Sequence, residues 1–229
     1  MLNWICFGVY PYVALTVFLL GSFLRHHHAP YSWKADSSQL LRPRSLRLGS
    51  NLFHVGVLGL FAGHGVGLLT PHWLYQSLGL SAHCKQLLAM GLGGVMGTMA
   101  LVGLALLIHR RLMDPRIRCT SRWMDFIILG WLFMTLCLGL TTIPFSWHHA
   151  DGHLMMQLAD WAQAIVTLHP AAGFMVGVPL IYRLHMMCGM TLFVLFPFSR
   201  LVHVWSGFAS VAYLARPPQI TRSWPRTKQ

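Results

Sequence analysis

The sequence predicts an all-α membrane protein, a bundle of five transmembrane helices with its N-terminus outside and its C-terminus in the cytoplasm. Three observations predict it. Hydrophobic residues make up 55% of the 229-residue chain, charged residues 10%, and mean hydropathy is +0.55, whereas a soluble domain carries roughly 25% charged residues. Five apolar runs, at about 4–24, 49–69, 87–108, 124–145 and 179–205, each suit the roughly 20 helical residues that a bilayer crossing needs. Lys and Arg, finally, collect on alternate connections.

Each run is continuous and lacks the in-out alternation of barrel strands, so helices are expected. The connection after the first run holds Arg25, Lys34, Arg42, Arg44 and Arg47, and the one after the third holds Arg110, Arg111, Arg116, Arg118 and Arg122. The C-terminal end adds Arg200, Arg216, Arg222, Arg226 and Lys228, leaving only Lys85 and Arg183 on the other side. Basic connections stay in the cytoplasm, which sets the orientation. The formal charge of +12 therefore reads as topology and as docking to anionic lipid or a partner, not as nucleic-acid binding.

Residues 1–205 are expected to form one transmembrane domain, with 206–229 as a cytoplasmic tail that needs a partner to become ordered. The opening MLNWICFGVYPY has no basic n-region and no small-residue cleavage site follows it, so the first helix is expected to be retained. The connection at 146–178 contains Asp151, Asp160 and a partly amphipathic stretch from Leu154 to Val166 suited to the membrane surface. Five scattered cysteines form no CxxC or CxxCH, which excludes an iron–sulfur cradle and c-type haem attachment.

Fourteen histidines are present, and most fall in connections, where solvation accounts for them. Four lie inside apolar runs: His54 and His64 on the second, His185 and His203 on the fifth. An ionisable side chain at membrane depth is costly and marks a functional site. One such histidine would be explained by a hydrogen bond to a neighbouring helix. Two pairs on two helices point further, because six-coordinate haem iron takes one neutral imidazole above and one below. Two b haems stacked across a bilayer need two such helices. The second and fifth helices run in opposite directions, which pairs His54 with His203 near the cytoplasm and His64 with His185 near the outside.

The spacings are unequal. In straight helices, the ten residues from His54 to His64 rise about 15 Å and the eighteen from His185 to His203 about 27 Å. Helix tilt, oblique macrocycles or a kink at Pro197 would have to absorb the difference. Gly56, Gly59, Gly63, Gly65 and Gly67 surround the second-helix histidines; they admit either a flat macrocycle or a close helix neighbour. Arg111 and Arg200 near the cytoplasmic surface, and Arg183 near the outer one, are candidates for haem propionates or are plain anchors.

The motifs SNLFHVGVLGLFAGH, LTPHW, RRLMDPRIR, TIPFS, DGHLMMQLADWAQAIVTLH and RLHMMCGMTLFVLFPFSRLVHVWS occur in this order along nearly the whole chain. In them the sequence resembles the gamma subunits of membrane-bound respiratory nitrate reductases, the cytochrome b subunits of those complexes. Residues 76–84 and the tail beyond Ser206 depart from the family's pattern. The resemblance implies two b haems on His54/His203 and His64/His185 and oxidation of ubiquinol or menaquinol near the outer one. It implies that Lys85 meets the quinol oxygen, with Gly63 and His64 lining the site; the other reading of Lys85 is a snorkelling anchor. It also implies an iron–sulfur beta subunit and a molybdenum alpha subunit, the latter reducing nitrate, in the bacterial inner membrane.

Two alternatives stay open on the sequence. One is a haem b anchor of another respiratory reductase, of sulfite or heterodisulfide type. The other is a metal or proton transporter that uses the histidines as a relay, against which stands the lack of Asp or Glu within the spans, Asp125 sitting at a helix end.

Overall fold

Where the apolar runs lie, the chain is helical, and where it leaves the helix a side chain or a proline explains why. The computed structural model describes residues 1–29, 32–33, 43–147 and 151–206; the expected tail beyond Ser206 lies outside them, as do Tyr31, Lys34, Arg42, His148 and His149. Among the described residues there is no strand. The helices are α1 (Leu2–His28), α2 (Pro43–Leu69), α3 (His72–Ser77), α4 (Ala82–Met113), α5 (Pro115–Cys119), α6 (Trp123–Trp147), α7 (His153–Val166) and α8 (Leu180–Leu195). Five of them, α1, α2 from Leu46, α4, α6 and α8 with its continuation to Phe198, are long and apolar enough to cross a membrane.

Local chemistry sets the boundaries. Ser81 caps α4 by accepting from the Cys84 amide at 3.2 Å. Asp114 ends that helix and starts α5, accepting from the Arg116 amide at 3.0 Å with Pro115 in the first turn. Gly152 precedes α7 at φ +83°, a left-handed conformation that a side chain would strain. In α1, Pro11 has no amide to offer the carbonyl of Phe7, and a π-helical turn over Ile5–Val9 accompanies it. Trp161 Nε1 supplies the donor to Phe7 O at 2.9 Å. Pro11 thereby creates the acceptor on which α7 docks.

The spanning helices pack in the order α1, α8, α6, α4, α2, each against the next. The α2–α4 contact is close enough for backbones to touch. A Cβ on Gly56 would lie 2.5 Å from the Ala100 amide nitrogen, and one on Gly103 would collide with the Phe53 amide. Between α6 and α8, Trp131 Nε1 donates to Cys188 O at 2.9 Å, and Tyr182 Oη shares a hydrogen bond with Ser146 Oγ at 2.7 Å. Tyr10 Oη meets Thr191 Oγ1 at 2.8 Å between α1 and α8. Such bonds between helices in lipid contribute roughly 0.6–2 kcal/mol each.

The amphipathic α7 is tied across the ends of two spans. Its Gln163 Nε2 donates to the carbonyls of Leu68 and Thr70 at 3.1 and 3.2 Å, satisfying acceptors left over where α2 ends. Its buried Trp161 and Ile165 join Phe7, Met175, Tyr182 and Met190 in the apolar core at that end of the bundle. The opposite end holds Arg25, Arg111 and Arg200, and will be called the basic end.

The last span is not one helix. Regular α8 stops at Leu195, a 3-10 turn covers Phe196–Phe198, Ser199 is extended (φ −113°, ψ −179°), and a second 3-10 turn covers Arg200–Val202 before helix resumes at 203–206. Pro197 sits in the break.

Candidate functional site

His54 and His64 lie on α2, His185 on α8 and His203 in the helical stretch after the break, and the structure brings them together in pairs. The rings of His54 and His203 have their centroids 6.1 Å apart with planes 72° to each other. Those of His64 and His185 are also 6.1 Å apart, at 43°. The last span breaks at Phe196–Val202, between its two histidines, so the rise calculated for one straight helix does not apply to His203. Helices α2 and α8 are not among the pairs in extended contact. The histidine pairs link α2 to α8 and to the stretch that follows its break.

Each of the four rings has its Nδ1 against a backbone carbonyl. His54 Nδ1 reaches Ser50 O at 2.7 Å and His64 Nδ1 reaches Leu60 O at 2.7 Å, both one turn back in α2. His185 Nδ1 reaches Thr135 O of α6 at 3.1 Å, and His203 Nδ1 reaches Arg200 O at 2.6 Å. A carbonyl only accepts, so the proton sits on Nδ1 in all four. Nε2 keeps its lone pair, the tautomer a metal requires, with the orienting partner that metal-bound histidines usually have. His72 is different, because both of its ring nitrogens are engaged by side chains.

Which metal group fits follows from the donor count. Among the described residues no cluster of three or more His, Cys, Asp or Glu could hold an ion, whereas a bare zinc-type ion needs three or four protein ligands. An iron already held by four porphyrin nitrogens needs two, one on each side. Two metal–nitrogen bonds of about 2 Å plus the inner radii of two rings come to about 6 Å, in agreement with both centroid separations. The glycines divide by role. Gly56 and Gly59 face α4, whereas a Cβ at Gly63 or Gly65, beside His64, would meet nothing within 4 Å. The residues present fit a bis-histidine haem at each pair.

A charge cluster braces the His203 side. Asp125, in the first turn of α6 and 5% exposed, accepts from Arg200 Nε at 2.7 Å and pairs with Arg200 Nη2 at 2.5 Å. It also pairs with Arg111 Nη1 at 3.1 Å and accepts from the Arg122 amide at 3.0 Å. Arg200 thus links Asp125 to the carbonyl that orients His203, and the cluster carries two guanidinium charges against one carboxylate. Arg183, the third propionate candidate, donates instead to Asn3 Oδ1 and lies over the Phe7 ring at 5.6 Å. It is about 200° around the helix from His185, two residues on.

At the other end, Lys85 Nζ sits 4.1 Å above the ring of Tyr75. Tyr75 Oη is 2.8 Å from His72 Nδ1, and His72 Nε2 is 2.5 Å from Asp160 Oδ1 of α7. Burial, and after it the Asp160 carboxylate, push the Tyr75 phenol above its ordinary pKa, and His72 links that phenol to Asp160, donating to the carboxylate from Nε2. In the sequence His72 fell in a connection, where solvation accounts for it, and Asp160 on the amphipathic stretch, while nothing singled out Tyr75. Sequence reading also passed over Gly139, whose Cβ would lie 2.8 Å from Cε1 of His185.

Fold and site together define a class: a multi-pass membrane protein built around two facing histidine pairs. Residues 3–224 match the family model described as nitrate reductase gamma subunit. The chain is 50% identical over 223 residues to the respiratory nitrate reductase 1 gamma chain of Escherichia coli K12, covering 97% of this chain and 98% of that one. It is 38% identical over 212 residues to the nitrate reductase gamma chain of Bacillus subtilis 168, covering 93% and 94%. This chain belongs to the nitrate reductase gamma subunit family, the membrane subunits of respiratory nitrate reductases. With its five apolar helices it is a multi-pass protein of the bacterial inner membrane.

Proposed function

We propose that this chain is the quinol-oxidising cytochrome b subunit of a respiratory nitrate reductase complex, with the basic end at the cytoplasm. The observation that carries this reading is the pair of histidine couples, each 6.1 Å apart, with every Nδ1 on a backbone carbonyl. His54 and His203 would hold the inner haem, His64 and His185 the outer one. When bound, the two haems supply one-electron transfer between the outer and cytoplasmic sides. Pairs of ligands, with no group of three or more His, Cys, Asp or Glu able to hold an ion among the described residues, count against a transporter's ion site.

Ubiquinol or menaquinol binds at the outer end beside Gly63 and His64. Lys85 donates a hydrogen bond to a quinol oxygen, and the Tyr75 ring, itself held through His72 by Asp160, supports that ammonium. Oxidation converts quinol to quinone with loss of two electrons and two protons, the protons leaving to the outside. Bringing each electron inward against the membrane potential costs about 2.3 kcal/mol per 100 mV, which nitrate reduction downstream must exceed. Arg111 and Arg200, anchored on Asp125, would bring surplus positive charge to the inner haem's propionates when that group is bound. The partners are an iron–sulfur beta subunit at the basic end and a molybdenum alpha subunit that reduces nitrate.

The deciding experiment is a pyridine haemochrome assay on the purified complex, with its subunits identified. Two b haems per chain, reducible by quinol, with iron–sulfur and molybdenum subunits copurifying, is the expected result. A colourless protein would overturn it, and soluble partners of another reductase would move the chain to that complex.

A further inference from the structure

Arg25 enters the sequence as one basic residue among many at the end of α1, but its guanidinium is fully directed. Nη1 donates to Pro197 O at 2.7 Å and to Ser199 O at 2.8 Å. Nε donates to Ser32 Oγ at 2.9 Å, and Nη2 to Ser32 O at 3.0 Å. Pro197 and Ser199 both lie within the break of the last span. A broken helix leaves carbonyls without their intrahelical donors, and within an apolar span another group must satisfy them.

The rest of α1's end grips the same segment. A Cβ on Gly21 would lie 2.8 Å from Pro197 Cγ, so glycine gives the proline its room. Phe18 packs edge-on against Phe193 and Phe196 and lies 5.4 Å from the Trp205 ring. Trp205 Nε1 donates to Ser22 Oγ at 3.3 Å. His203 lies between these grips, and its Nδ1 rests on a carbonyl of the same broken segment, that of Arg200.

We infer that Arg25 is a positioning residue for His203: by holding the carbonyls of Pro197 and Ser199 it fixes the break that turns His203 toward His54, and with it the plane of that imidazole. The inference rests on the haem reading above. Charge alone does not account for the arrangement, because a planar fork is needed to meet two carbonyls on one side and Ser32 on the other. A lysine offers a single point.

The test uses the whole complex purified from membranes, with electron paramagnetic resonance of the low-spin haems and a redox titration of both. The His64→Ala protein identifies the inner-haem signal. Arg25→Gln is expected to shift the signal and midpoint potential of the His54/His203 haem and leave the His64/His185 haem at its wild-type values. Arg25→Lys, which keeps the charge, is expected to shift the same haem by a smaller amount. If Arg25→Gln does not accumulate, Ser32→Ala removes the Nε acceptor alone and is expected to give a small shift confined to the inner haem.

Unchanged inner-haem values in Arg25→Gln, or in Ser32→Ala where that variant stands in, overturn the assignment. So does an equal shift of both haems, which marks general loosening, and so does an Arg25→Lys protein identical to wild type, which leaves charge as the whole effect. Wild-type protein without two low-spin b signals overturns the haem reading itself, and the role of Arg25 with it.

Discussion

Gly139 of α6 lies flat against the imidazole of His185: a Cβ there would fall 2.8 Å from Cε1 and 3.3 Å from Nδ1. The same helix supplies the Thr135 carbonyl that accepts the hydrogen bond from His185 Nδ1. One helix therefore sets both the tilt of that ring and its tautomer. Gly139→Val forces the ring off its position, an overpacking worth about 1–3 kcal/mol. The expected outcome is loss or spectral shift of the outer haem with the inner one unchanged, read from the low-spin spectrum.

His64→Ala removes one of two imidazoles that face each other 6.1 Å apart. Haem content per chain should fall from two to one in the pyridine haemochrome assay, and quinol should no longer reduce the remaining haem. An unaltered stoichiometry would show that His64 is not a ligand.

Lys85→Ala should keep both haems and weaken quinol binding. A hydrogen bond from a charged donor is worth about 1.5–3 kcal/mol, which corresponds to roughly a ten- to hundredfold rise in KM. Tyr75→Phe keeps the ring beneath Lys85 and removes only the bond to His72, so its KM should stay much nearer the wild-type value. A haem lost in Lys85→Ala would mean the lysine is structural.

Asp125→Asn takes the carboxylate from two arginines that both pair with it. Removing one partner of a buried ion pair costs about 3–5 kcal/mol. The complex should unfold at lower temperature in a thermal melt, and because Arg200 carries the carbonyl under His203, the inner-haem spectrum should move with it. A melt unchanged within error would show that Arg111 and Arg200 find other anions.

Much of this molecule is legible in its sequence for reasons that are local. A bilayer demands long apolar helices, and five runs of the right length are visible as composition alone. The cost of an ionisable group in that setting singles out His54, His64, His185 and His203 from fourteen histidines, and opposed helix directions suggest their pairing. The glycines around His64 were ambiguous, because the absence of a side chain says nothing of what approaches. Gly56 turned out to meet α4, and Gly63 to meet nothing within 4 Å.

By itself, then, the sequence determined which five segments are apolar enough to span a membrane and which imidazoles fall in those apolar runs, since both follow from the chemistry of single residues against a fixed solvent. Tertiary structure alone decided how the eighteen residues between His185 and His203 are matched to ten between His54 and His64. It did so by breaking the last span at Phe196–Val202 and closing the break with Arg25, from a helix distant in the chain. The reason is that a freed carbonyl can take its hydrogen from any donor that packing brings within 3 Å, and no local pattern records which one that will be.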